Sequence, residues 1–386
     1  MKTHLNYRLI VFLAGLFFVG LWLASVERLP AYLRPGLRLE AYVANTADGT
    51  VSVVDLVKLS TIATIPVGAR PSGLRTHPNR PEIWGVSSAA GTAWVLDVKT
   101  HAQIASIPVG AAPFALDFSP DGTRAYVAAS GSGSVVAIDC ASRQIVARGR
   151  VGPDVRDTLN SGPHNATPWI ARLTPDAKTL VVSDRDDATI SVLDSASLST
   201  VAVISVASRP EQIAILPDSA KAFISSSTSS QISVVDLKRH VLLANLDVGG
   251  IPDDLDLKPD GGELYVTSSS AHGVIIINTR TNEVAGFLLL GMGPTAAEFA
   301  PTESTLYVSD TAAGHVVPVQ TDLRHVGRPI PVGEQPVQLA LTPGNDILLA
   351  VDSQSNDLAV VRASTGGLIT LIPLGSRPRD IAITEF

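Results

Sequence analysis

Residues 71–112 read PSGLRTHPNRPEIWGVSSAAGTAWVLDVKTHAQIASIPVGAA, and at Pro113 the same pattern starts again with PFALDFSPDGTRAYVAASGSGSVVAIDC. The repeat ahead of it holds four short apolar or β-branched runs, Ala41 to Ala44, Val51 to Asp55, Thr61 to Val67 and Pro71 to Thr76. Asp48-Gly49, a short polar turn and Gly68 punctuate them. The residue opening each YV-like run falls at Tyr42, Trp84, Tyr126, Val181, Phe223, Tyr265, Tyr307 and Leu349, spaced 42, 42, 55, 42, 42, 42 and 42. The proline after each V-G turn, from Pro71 to Pro378, keeps the same spacing. So does the carboxylate, or its replacement, ending the next run, from Asp55 to Arg362. Three markers thus agree on eight repeats with one 13-residue excess, between Gly152 and Pro168. Four short strands per period of about 40 to 45 residues are the signature of a β-propeller blade. The sequence therefore predicts an all-β chain: an eight-bladed β-propeller of four-stranded antiparallel blades.

The phase of the repeat predicts how the ring closes. Turns of the type Ser119-Pro120-Asp121-Gly122 join the strand after each marker proline to the next YV strand, seven times over. The repeats open on a YV strand at Tyr42 and finish on the strand Arg379 to Thr384, which has no YV strand after it. The C-terminal strand is expected to pair in the N-terminal blade and so remove an open sheet edge.

Of the 386 residues 45% are hydrophobic and 17% charged, which excludes a disordered chain. The net charge of -7 gives no drive toward nucleic acid. A single cysteine, Cys140, excludes an internal disulfide, an all-cysteine zinc site, an iron-sulfur cluster held by thiolates and two-cysteine haem attachment. Leu9 to Val26 is an uncharged apolar run behind Lys2 and Arg8. Residues 1–26 are accordingly expected to be a signal peptide or an N-terminal membrane anchor, with the basic end inside. Residues 27–37 read as a linker and residues 38–386 as one propeller domain, periplasmic or extracellular, that touches a membrane only through the N-terminal segment.

Tyr42-Val43-Ala44-Asn45, Tyr265-Val266-Thr267-Ser268, Ile65-Pro66-Val67-Gly68 and Ser119-Pro120-Asp121-Gly122 resemble the YVTN family of propeller repeats. That family is similar in turn to the haem-d1 propeller domain of cytochrome cd1 nitrite reductase, a resemblance that implies eight blades and raises a tetrapyrrole as ligand. Family membership does not fix function, because members range from surface proteins to enzyme domains.

The insertion, residues 153–167, lies in a blade-to-blade connection and is expected on the face that carries the channel mouth. It supplies Asp154, Asp157 and His164. Residues following the marker prolines are expected around the mouth, among them Trp169, Glu211, Asp253, Asp254, Arg379 and Asp380. Asp253 and Asp254 are taken together as solvent-exposed carboxylates that contribute little to stability. With His272 and His315 on the same face and His77 on the other, no dense metal-ligand spacing emerges, and neither a metal nor a cofactor is assigned. The aspartates ending the run after each YV strand, such as Asp55 and Asp236, read as turn formers. No G-x-S-x-G, H-E-x-x-H or phosphate-cradling glycine loop is present. The leading expectation is a monomeric, non-enzymatic scaffold that binds a protein, a surface polymer or a small ligand at its channel face. The alternative is an enzyme or cofactor-handling propeller, either a lactonase-like hydrolase or a haem-d1-related oxidoreductase.

Overall fold

Leu39–Asn45 and Glu82–Ser87 are buried along their whole length, whereas Ser60–Pro66 and Ala102–Pro108 are largely exposed. A strand buried on both faces must lie inside a sheet that is itself covered on both sides, and a propeller blade between two neighbours meets that demand. The computed structural model describes residues 38–152, 166–300 and 304–386, and they form eight antiparallel sheets. Blade 1 runs outward from Pro378–Glu385 through Leu39–Asn45 and Thr50–Asp55 to Ser60–Pro66. Blade 2 takes Pro71–Thr76 to Ala102–Pro108, blade 3 Pro113–Phe118 to Gln144–Arg150, and blade 4 Pro168–Leu173 to Thr200–Ser205. Blades 5, 6, 7 and 8 have Pro210–Ile215, Asp254–Leu257, Pro294–Phe299 and Pro336–Leu341 as their innermost strands.

The expected closure is observed. Leu39 through Asn45 pairs antiparallel with Glu385 back to Pro378. In blade 7 the outer strand is split into His325–Val326 and Ile330–Pro331 around Pro318, which has no N–H to give the ladder. The apolar clusters lie between blades. Tyr42, Val51 and Val53 of blade 1, for example, pack on Leu74, Ile83 and Trp94 of blade 2. Trp94 fits because Gly85 faces it, where an added Cβ would stand 2.3 Å from the indole.

The turn aspartates behave as read. Asp55 accepts from Val57 and Lys58 N–H, and Asp194 from Ser197 N–H. At the face carrying these turns, here the lower face, a glutamate two residues before the aromatic ties adjacent blades. Glu40 accepts from Tyr42 Oη and meets His101 Nε2 of blade 2, both at 3.0 Å. Glu82 repeats this with Trp84 Nε1 at 2.9 Å and Arg143 at 3.0 Å, and Glu263 with Tyr265 and Arg324.

On the upper face of blades 7 and 8 the carboxylate ending the second strand ties the blade crossing. Asp310 accepts from Met292 and Gly293 N–H, and Asp352 from Gly333 N–H at 3.0 Å. Asp352 also lies directly across the ladder from Asp357. Burial, with Asp357 facing it, pushes its carboxyl up to about 8.

Two outcomes are expected. Deleting residues 378–386 strips blade 1 of its inner strand, and the protein should aggregate or lose cooperative melting; an unchanged melting temperature would contradict closure. Between an unfolded value near pH 4 and the folded value of about 8, only the folded state keeps the Asp352 proton, so its contribution to stability falls as pH rises through that window. The slope for this one proton is at most about 1.4 kcal/mol per pH unit. Blade 1 carries Asn45 opposite Thr50 at the matching position, so Asp352→Asn should fold and flatten the slope in urea titrations across pH 5 to 8.

Candidate functional site

The inner strands of seven blades begin with a β-bulge, which decides what the channel presents. In blade 4 Pro168 pairs with Asp184 but Ala171 with Val182, leaving one extra residue on the inner strand. A bulge re-aims side chains, and here the two residues after the marker proline both reach the channel mouth. In blades 4 to 7 the amide two residues past the marker proline is satisfied by a hydroxyl on the second strand: Ile170 N–H donates to Ser183, Gln212 to Ser225, Asp254 to Thr267 and Ala296 to Ser309. Ser183 and Thr267 also donate to the next blade, to the carbonyls of Glu211 and Thr295 at 3.0 and 2.9 Å. The serine or threonine two residues past the opening residue of the YV strand thus satisfies this amide and, at Ser183 and Thr267, also ties the blade to the next.

Inner strands of all eight blades enclose a cavity of about 460 Å³. Asp253, Asp254, Arg379 and Asp380 line it, as do Ser72, Phe114, Gln212 and Val337. Trp169 and Glu211 stand at the upper rim and interact with Arg185 instead. Trp169 stacks on Phe114 of the neighbouring blade with ring centroids 3.8 Å apart, and the Arg185 guanidinium lies 4.0 Å from the indole centroid. Arg185 also pairs with Glu211 at 2.5 Å, and Arg379 caps the far end of the stack, 5.9 Å from the Phe114 centroid. This cation–aromatic row spans one side of the mouth.

Asp154, Asp157 and His164 lie outside the described residues. The flanks of their segment are fixed on the upper face: Gly152 N–H donates to Ser191 Oγ at 2.9 Å, and Thr167 N–H to Asp184 at 2.8 Å.

The shared treatment of Asp253 and Asp254 needs correction. Asp253 is exposed and accepts from Ser269 N–H at 2.6 Å. Asp254 instead belongs to the wall, where it accepts from Leu255 N–H and, across the blade junction, from Ala297 N–H at 3.3 Å. Burial raises its carboxyl above the ordinary range. Asp380 bridges in the same way to Leu74 N–H, at 2.8 Å. One step deeper, Asp117 reaches Leu173 N–H at 3.1 Å and Asp256 reaches Phe299 N–H at 2.9 Å. Removing such a carboxylate leaves an N–H unpaired in the wall and costs about 1 to 3 kcal/mol.

The deeper ring was not singled out from the sequence. Four residues past the marker proline stand Arg75, Asp117, Arg172, Asp256 and Glu298, in blades 2, 3, 4, 6 and 7. Charges at one repeat position, inside strands whose neighbours are apolar, were the available signal. Burial, and after it the like charge of Arg75, pulls Arg172 below its ordinary value. Burial and Asp254 push Glu298 up to about 7.

His272 lies in an upper-face loop with Nδ1 3.1 Å from Met292 O, and His315 opens a third strand. His77 is buried at the lower face against Trp84 and Phe118, 2.9 Å from Gly122 O. Among the described residues no histidine lines the cavity, so these residues supply a haem iron with no axial imidazole.

Solved structures with this architecture include dihydro-heme d1 dehydrogenase NirN in complex with DHE, at TM-score 0.76 and 14% identity over 89% of this chain and 74% of that one. Apo AztD from Citrobacter koseri matches at TM-score 0.66 and 13% identity, covering 90% of this chain and 98% of that one. Kuenenia stuttgartiensis hydrazine synthase matches at TM-score 0.58 and 19% identity, covering 76% and 95%. The likeness to a haem-d1 protein implied by the repeat motifs therefore holds at the level of fold. No protein-family model and no curated protein matches the sequence.

Proposed function

We propose that this chain is an exported, non-enzymatic binding propeller whose channel takes a small ligand through the upper mouth. The observation that carries this reading is the cavity itself: about 460 Å³, framed by the inner strands of eight blades and lined by ionisable groups that include Arg75, Arg172, Asp254 and Asp380. Ligand pockets of roughly 300 to 1,000 Å³ have this size, and convergent polar groups of this kind set orientation and specificity. Export is supported by the uncharged run Leu9 to Val26 behind Lys2 and Arg8. Arg38 pairs with Phe386 at the lower face, so a chain held at a membrane by its N-terminal segment presents the mouth to the side away from it. The second reading, a cofactor-handling propeller, draws on the fold likeness to NirN. It lacks an imidazole among the described residues of the cavity.

The test is a panel of small charged and aromatic solutes, followed by thermal shift, on the parent and on Val337→Trp, which fills the half-buried mouth position of blade 8. Solutes that stabilise the parent should lose at least about tenfold in affinity in the filled variant. Undiminished binding there would place the functional surface outside the channel.

A further inference from the structure

Most charged groups of the channel are already engaged. Asp380 gives its two oxygens to Leu74 and Ile381 N–H, and Asp117 gives its own to Leu173 and Phe118 N–H. Asp254 and Asp256 likewise accept backbone N–H groups of blades 6 and 7. Arg379, exposed at the mouth, keeps only its contact with the Phe114 ring, and two groups are left over at the deeper level. Among the described residues neither the Arg172 guanidinium nor the Glu298 carboxylate makes a hydrogen bond or an ion pair. Arg75 uses only one N–H, on Leu74 O at 2.8 Å.

Arg75, Arg172 and Glu298 stand at the deeper level, with Asp254 one step above it; the carboxylate of Asp117, between the two arginines, is spent on backbone N–H groups. Arg75 and Arg172 line the cavity from blades 2 and 4. Asp254 lines it from blade 6, opposite blade 2, and Glu298 stands beside Asp254 in blade 7. Charges withdrawn from water without partners are costly. An anion alone would relieve Arg172 and face the acidic wall with the wrong sign; a cation alone would do the reverse. A ligand carrying both charges relieves both walls and enters with no net charge to desolvate.

We propose that the channel binds a small zwitterion with one carboxylate and one ammonium, the carboxylate against Arg172 and Arg75 and the ammonium against Asp254 and Glu298. This rests on the channel-ligand reading and names the ligand class. Bound counter-charges would also reverse both burial effects, restoring Arg172 and lowering Glu298 from about 7.

The experiment is calorimetric titration of the full chain with ω-amino acids of rising length, from glycine to 6-aminohexanoate, beside hexanoate and hexylamine. One length, or adjacent lengths, should bind at least about tenfold more tightly than either singly charged control. Arg172→Gln and Glu298→Gln should each weaken that binding at least about tenfold, while Arg172→Lys retains part of it. If Arg172→Gln does not fold, Arg75→Gln takes its place. Near pH 7 Glu298 faces Asp254 and Asp256 from blade 6 and Arg75 from blade 2, and binding should expel part of its proton. The binding heat then varies with the buffer in the parent and not in Glu298→Gln. Hexanoate or hexylamine binding as tightly as the best amino acid, calcium binding displaced by Glu298→Gln, or unchanged affinity in both Gln variants would overturn the proposal. If other solutes bind and Val337→Trp abolishes them while no ω-amino acid binds, the zwitterion proposal fails and the channel reading stands. If Val337→Trp abolishes nothing, both fall.

Discussion

The antiparallel ladder between Leu39–Asn45 and Pro378–Glu385 is the constraint on which the rest of the molecule depends. It joins residues more than 330 positions apart, so its loop entropy is offset only when all the intervening blades are in place. Leu39–Asn45 is buried throughout, and without its partner it would present an apolar edge with unpaired amides. The same closing strand carries Asp380 to Leu74 N–H of blade 2, so closure also completes the channel wall.

Given a closed ring, the cavity follows from one local device repeated around it. The bulge after the marker proline, present in seven blades, turns two consecutive residues to the mouth, and in blades 4 to 7 a second-strand hydroxyl satisfies the amide there. Below it, inner-strand aspartates reach the neighbouring blade's backbone at two levels. Carboxylates in the channel thus serve cohesion first, which is why the two unspent groups, Arg172 and Glu298, stand out chemically.

Much of this was legible in the sequence because the repeat is strict. Blade number, strand number, closure and the turn role of Asp55 or Asp194 all follow from spacing and turn chemistry. The mouth position of Asp253, Asp254, Arg379 and Asp380 follows as well, from their place after the marker prolines. The separate fates of Asp253 and Asp254 do not, because Asp254 begins the inner strand and meets a backbone amide of the next blade, while Asp253 precedes it and stays in solvent. Nor does the stack of Trp169 on Phe114: these residues lie 55 apart, and only the neighbouring positions of two inner strands bring the rings together. The charged ring at Arg75, Arg172 and Glu298 is hidden for a related reason. A charge inside an apolar strand reads as a solvated face until the ring shows that this face surrounds a channel.

Native-state amide hydrogen exchange tests the central claim most directly, at Glu40, Tyr42, Ala382 and Thr384, whose N–H groups bond across the closing ladder in the alternation set by the Arg38–Phe386 pair. If closure is the keystone, these amides exchange only through global unfolding, with the same free energy of opening as Val86 and Val127 in the buried second strands of blades 2 and 3. Opening of the closing ladder at a free energy several kcal/mol below that of the other blades, about 2 or more, would contradict it.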